Sequence, residues 1–172
     1  MRETGIFSLM VAMLCSGCIT QHVQRNMMET LDSRRTVYVA VPEDGQYGEI
    51  KYVGSGMQAA TSLAAQARDR FAGVQMGMQV QTLAEADAAA REAKTGYLFY
   101  LKIIHWEDRA TEWSGLQDRL EILISVMDMS TGKAVDVSSL TAKTKAFTWA
   151  HAPEDFLPKL FGEYCDRLIG SN

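Results

Sequence analysis

The sequence predicts a single α/β domain: a mixed five-stranded sheet with about three helices. Three observations carry this. Strand-like runs alternate with helical stripes from residue 36 to residue 106. Two further strand-like runs then follow with no helical pattern between them. The chain has 172 residues, 47% of them hydrophobic and 22% charged, which suits one domain with a closed core rather than a disordered chain.

Each element has its own signal. Residues 36–41 (TVYVAV) are β-branched and stop at Pro42, as a first strand would. A loop rich in Gly and Tyr runs to Gly54, and Ser55 is a candidate N-cap for a helix over residues 55–71. Met57, Ala60, Leu63, Ala64, Ala67 and Phe71 fall on one face of that helix. Residues 74–80 form a weaker second strand. Residues 83–94 are an alanine-rich helix, with Asp87 and Arg91 spaced to pair and Gly96 ending it. Residues 97–106 (YLFYLKIIHW) are apolar on both faces, as in a central strand. Residues 120–129 alternate cleanly, DMSTGK makes a turn, and 134–149 read as a long last strand. Pro153 opens a closing helix with the stripe Leu157, Leu160, Phe161, Tyr164, Cys165 and Leu168.

Two right-handed crossovers make the first three strands parallel, and two hairpins then add the fourth and fifth antiparallel. The expected sheet order is 2-1-3-4-5. This arrangement resembles the N-terminal domain of the TolB periplasmic protein and other small envelope lipoproteins, a likeness of fold that assigns no function.

The first residues read as an address. Arg2 gives a thin positive start, residues 6–14 are a short apolar run, and Cys15-Ser16-Gly17-Cys18 follows. The run is far short of the roughly 20 apolar residues of a spanning helix and fits a secretory signal. Ser16-Gly17-Cys18 after a leucine-rich stretch resembles the lipobox of bacterial lipoproteins, although Cys15 stands where leucine is usual. That resemblance implies a signal peptide over residues 1–17, and a diacylglyceryl group and an N-acyl chain on Cys18. Ile19, in place of Asp, implies sorting to the outer membrane, with the domain facing the periplasm. A plain secretory signal with a coincidental cysteine is the alternative. Residues 18–35 then form a polar tether with a reach on the order of 50 Å, and residues 36–172 form the domain. Cys165 has no disulfide partner once Cys18 is acylated, so no disulfide framework is expected.

Net charge is −4 and the pI is about 5.4, which argues against nucleic acid as a partner. The topology gathers the unusual residues. Segments leaving the first, third and fifth strands should emerge at one edge, where α/β sheets commonly bind ligands. The expected rim comprises Tyr52, His105, Trp106, Glu107, Asp108, Arg109, Glu112, Trp113 and Trp149. The run HWEDRATEWSG, with YVGSG upstream and the D-x-x-TG turn (Asp128, Thr131, Gly132) downstream, resembles a family of small Gram-negative envelope lipoproteins of unknown function. The resemblance covers nearly the whole mature domain, and implies a lipid anchor and an envelope location.

Several readings of the rim remain open. Trp and Arg are the residues most enriched at binding hot spots, which suggests a recognition surface for an envelope protein or cell-wall partner. A self-packed loop would use the same residues as architecture. A hydrolase or metal-dependent enzyme would use His105 with Glu107, Asp108 or Glu112, but no nucleophile stands in a recognisable context and no compact metal-ligand spacing appears. Gly54-Ser55-Gly56 before a helix lacks the lysine and spacing of a phosphate loop and reads as a capping turn. The expectation is a binding module, not an enzyme, with no cofactor or metal beyond the acyl chains on Cys18.

Overall fold

The computed structural model describes residues 20–25, 29–108, 118–143 and 152–170. Residues 1–17, expected to be a signal peptide, and Cys18, Arg109, Glu112, Trp113 and Trp149 lie outside these described residues. In chain order the elements are β1 (Thr20–Arg25), β2 (Thr36–Val41), β3 (Gln46–Tyr47), β4 (Ile50–Lys51), α1 (Ser55–Arg68), β5 (Gly73–Val80), α2 (Leu83–Glu92), β6 (Tyr97–Glu107), β7 (Arg119–Asp128), β8 (Lys133–Lys143) and α3 (Leu157–Leu168). A 3-10 turn, Pro153–Phe156, leads into α3.

The large sheet has the order β1-β8-β7-β6-β2-β5. β2 is parallel to both β5 and β6, and the remaining neighbours are antiparallel. Its five strands from β2 onward therefore take the expected 2-1-3-4-5 order. The sixth strand was not expected. Thr20–Arg25, expected to be part of a polar tether, pairs antiparallel with β8 from Thr20↔Lys143 to Arg25↔Ser138. Further along the same stretch, Leu31 is buried and its N–H bonds the Leu168 carbonyl at 2.8 Å. Arg35 makes two bonds to Asp128, at 2.8 and 3.0 Å, and lies over the Tyr97 ring at 4.1 Å. The polar composition of residues 18–35 concealed this because the edge strand satisfies its backbone on β8, and TQHVQR offers no apolar repeat to read.

Two cores flank the sheet. The larger joins α1 and α3 to one face through Val37, Val39, Phe99, Leu101, Ile122, Ile124 and the fully buried stripe of α3. Burying each large side chain of that stripe contributes about 1.5–3 kcal/mol. The smaller sits under α2, where Ala86 and Ala90 meet Tyr38, Ala40, Leu98 and Met129. α2 starts with a reciprocal cap between Thr82 and Glu85, and its expected Asp87–Arg91 pair forms at 2.7 Å. Lys94, at φ +53, rather than Gly96, turns the chain out of this helix.

One irregularity in β6 decides the geometry of the rim. Ile103 faces Ile122 and Trp106 faces Leu120, so Ile104 and His105 together oppose Glu121. This is a β-bulge, and the extra residue reverses which side chains face inward. Tyr97, Phe99 and Leu101 point to the larger core; beyond the bulge it is Trp106 that does so, and His105 does not.

Candidate functional site

Of the expected rim residues, Tyr52, His105, Trp106, Glu107 and Asp108 are among the described ones, and they meet at the end of β6. Register links Thr20 to Lys143, Lys143 to Arg119 and Arg119 to Glu107, so the start of β1 and the ends of β8 and β6 stand in one row across the sheet. The segment leaving β2 folds as the small β3–β4 hairpin, with Gln46 opposite Lys51 and Tyr47 opposite Ile50. This hairpin is braced onto the end of β6. The Tyr47 and His105 rings are 5.1 Å apart, and the Asp108 N–H donates to the Tyr52 hydroxyl at 3.2 Å. Gly45 lies so close that a Cβ there would sit 2.5 Å from the Trp106 Cβ.

The rim residues divide by burial. Trp106 is 2% exposed and Glu107 is 4% exposed. Trp106 is thus a core residue, and its side chain is not offered to a partner. His105 and Tyr52 are half-buried, and Asp108 is exposed. His105 Nε2 lies 2.9 Å from Glu107 Oε2, two residues along the same strand. Exposed apolar side chains here are Ile104 at 46%, at the bulge, and three from the hairpin segment: Tyr47 at 40%, Ile50 at 60% and Val53 at 86%. The sequence carried a signal for those of the hairpin, since GQYGEIKYVG places Ile and Val in a glycine-bounded polar loop where burial has nothing to offer.

The start of α1 is arranged differently from the expected Ser55 cap. Gly54 is the N-cap, in the left-handed region at φ +90, and Ser55 is a buried helical residue. The Ser55 hydroxyl accepts from the Gly45 N–H at 2.8 Å. The capping group is the Asp44 carboxylate, which accepts from the N–H groups of Gly54 at 3.1 Å and Gly56 at 3.0 Å. A carboxylate of the chain itself thus takes the place a bound anion would occupy. Gly56 is required for a steric reason, because a Cβ there would meet the Pro42 carbonyl oxygen at 2.3 Å.

Among the described residues no group of three His, Cys, Asp or Glu side chains is placed to hold a metal. Cys165 is fully buried, and burial pushes its thiol up to about 12, so it is inert at neutral pH. A shallow apolar groove of about 690 Å³ runs between α1 and the start of α3, lined by Met57, Thr61, Ala65, Leu157 and Pro158 among others. None of the expected rim residues lines it. No helix among the described residues is long and apolar enough to cross a membrane.

These features define a mixed α/β domain with helices on both faces and a hairpin-capped rim. The chain belongs to the family described as Domain of unknown function (DUF4823), which matches residues 29–168. Among solved structures it is similar to the PelC dodecamer from Paraburkholderia phytofirmans, at a TM-score of 0.68 and 17% identity, over 87% of this chain and 97% of that one. It is also similar to lipoprotein GNA1162 from Neisseria meningitidis, at a TM-score of 0.50 and 12% identity, over 80% of this chain and 99% of that one. Protein XCC0632 from Xanthomonas campestris matches at a TM-score of 0.50 and 14% identity, over 80% of this chain and 83% of that one. At these identities the likeness is one of fold. No curated protein matches the sequence.

Proposed function

We propose that the chain is an outer-membrane lipoprotein, held by acyl chains on Cys18, whose periplasm-facing domain is an interaction module and not an enzyme. Its partner is an envelope protein or a cell-wall component, engaged at the rim. The observation that carries this reading is the rim's construction: exposed Tyr47, Ile50 and Val53 sit beside His105 and Asp108 on a hairpin braced against a central strand. Apolar groups left in water on a rigid support are what an interface requires. The likeness to a protein named as a lipoprotein supports the anchor, and the likeness to one described as a dodecamer supports assembly as the domain's business, with further copies of this chain among the candidate partners.

A second reading, an envelope hydrolase, is favoured by the 2.9 Å contact between His105 and Glu107. An imidazole oriented by a carboxylate is half of an acid–base device, and it would need a nucleophile or activated water within reach. Photo-crosslinking in cells separates the two. A probe at Asp108, with a control at Lys133 on the far edge, should give a discrete adduct from position 108 alone. Absence of any adduct there, together with an activity lost in His105→Ala, would replace the binding reading by the enzymatic one.

A further inference from the structure

The placement of β1 bears on where the membrane lies. Only Ile19 separates Cys18 from Thr20, the first residue of β1. Two residue steps span at most about 7 Å. Thr20 stands in the same register row as Lys143, Arg119 and Glu107, and Asp108 beside that row holds the hairpin through Tyr52. Thr20 and the exposed hairpin are therefore at the same end of the sheet, and acyl chains on Cys18 would be held at that end.

We infer that the β3–β4 hairpin rests in the headgroup layer of the membrane that holds the Cys18 acyl chains, so that the strands stand end-on to the bilayer and the domain is fixed in orientation. This rests on the anchor reading above and narrows the rim reading: the occupant of the hairpin tip (Tyr47, Ile50 and Val53) is a phospholipid surface, and the envelope partner's share of the rim is the His105 and Asp108 side. The chemistry of the tip suits that layer. Ile50 and Val53 supply apolar contact, Tyr47 has an apolar ring with a polar end, and the Lys51 stem can cover apolar surface while its ammonium meets phosphate. Lys143, exposed on the row between Thr20 and the hairpin, places another cation at the same end of the sheet. Glu49, at the hairpin turn, opposes deeper entry, which limits the tip to the headgroup region. Asp108 and the His105 side of the rim stay open to the envelope partner.

The test uses the full lipidated protein, reconstituted in vesicles of phosphatidylethanolamine and phosphatidylglycerol. A polarity-sensitive label is placed on Ile50→Cys or on Thr131→Cys, both at exposed positions. Acylated Cys18 and buried Cys165 leave each variant with one reactive thiol. Thr131 lies in the turn before β8, whose length puts it about 33 Å from the rim. Brominated lipids should quench the label at 50 several-fold more than the label at 131. Equal, weak quenching at both positions in protein that still co-floats with the vesicles would overturn the inference and leave the anchor standing. Protein that does not co-float would overturn both. A label at 50 already shielded from aqueous quenchers before reconstitution would assign the hairpin to contacts between copies, also against the inference.

Discussion

Replacing Trp106 by Ala separates architecture from recognition at the rim. Trp106 is 2% exposed, lies opposite Leu120, and has Gly45 packed against its Cβ. Truncating a buried Trp to Ala costs about 3–5 kcal/mol, from lost transfer energy and the cavity left behind. For a domain of this size each kcal/mol lowers the midpoint by about 2–4 °C, so the expected loss in Tm is about 6–20 °C. The hairpin should loosen with it, because Gly45 and the Tyr47–His105 contact are seated on the same stretch of β6. Urea and thermal unfolding of the purified domain, followed by far-ultraviolet circular dichroism, measure this directly. A cost below about 1 kcal/mol with an unchanged spectrum would mean that the bulge does not turn Trp106 inward, and would return it to the binding surface.

Other perturbations probe the remaining supports. Gly56→Ala, usually stabilising in a helix by about 1 kcal/mol, should here destabilise, because the new methyl meets the Pro42 carbonyl; a gain in urea midpoint would refute that packing. Asp44→Ala should cost about 1–2 kcal/mol by uncapping α1, and Ser55→Ala should not mimic it by freeing the same two N–H groups. Arg35 and the Ser130 N–H and hydroxyl hold the Asp128 carboxyl well below its usual range. Its stabilisation is thus complete above the unfolded-state pKa near 3.9 and is lost as pH falls toward the folded value. Asp128→Asn should therefore weaken the fold at pH 7 and flatten its acid dependence, as seen in stability curves from pH 7 to pH 2. Cys165 should resist maleimide at pH 8 in the native protein and react fully in urea.

Much of the fold was legible because its signals are local. The β-branched run of β2, the stripe of α3 and the hairpin turn at DMSTGK each identify an element, and the handedness of crossovers orders the strands. What escaped depends on contacts between distant residues. β1 owes its existence to the free edge of β8, which TQHVQR cannot announce. The cap of α1 comes from Asp44, ten residues before Gly54, whereas local sequence points to the adjacent Ser55. The bulge at residues 104 and 105 inserts a single residue, and no propensity in IIHW marks it; yet it moves Trp106 from rim to core and exposes the hairpin as the rim's apolar surface. The register row that brings Thr20 beside Lys143 likewise needed the sheet to be seen whole.

Anchoring at Cys18 is the claim on which location, orientation and the rim's role all depend. Intact-mass analysis of the protein extracted from cell membranes tests it most directly. The expected species begins at Cys18 and carries a diacylglyceryl group and an N-acyl chain, with Cys18→Ser abolishing the added mass and releasing the domain from the membrane. A mature chain that begins elsewhere, or that begins at an unmodified Cys18, would contradict the account.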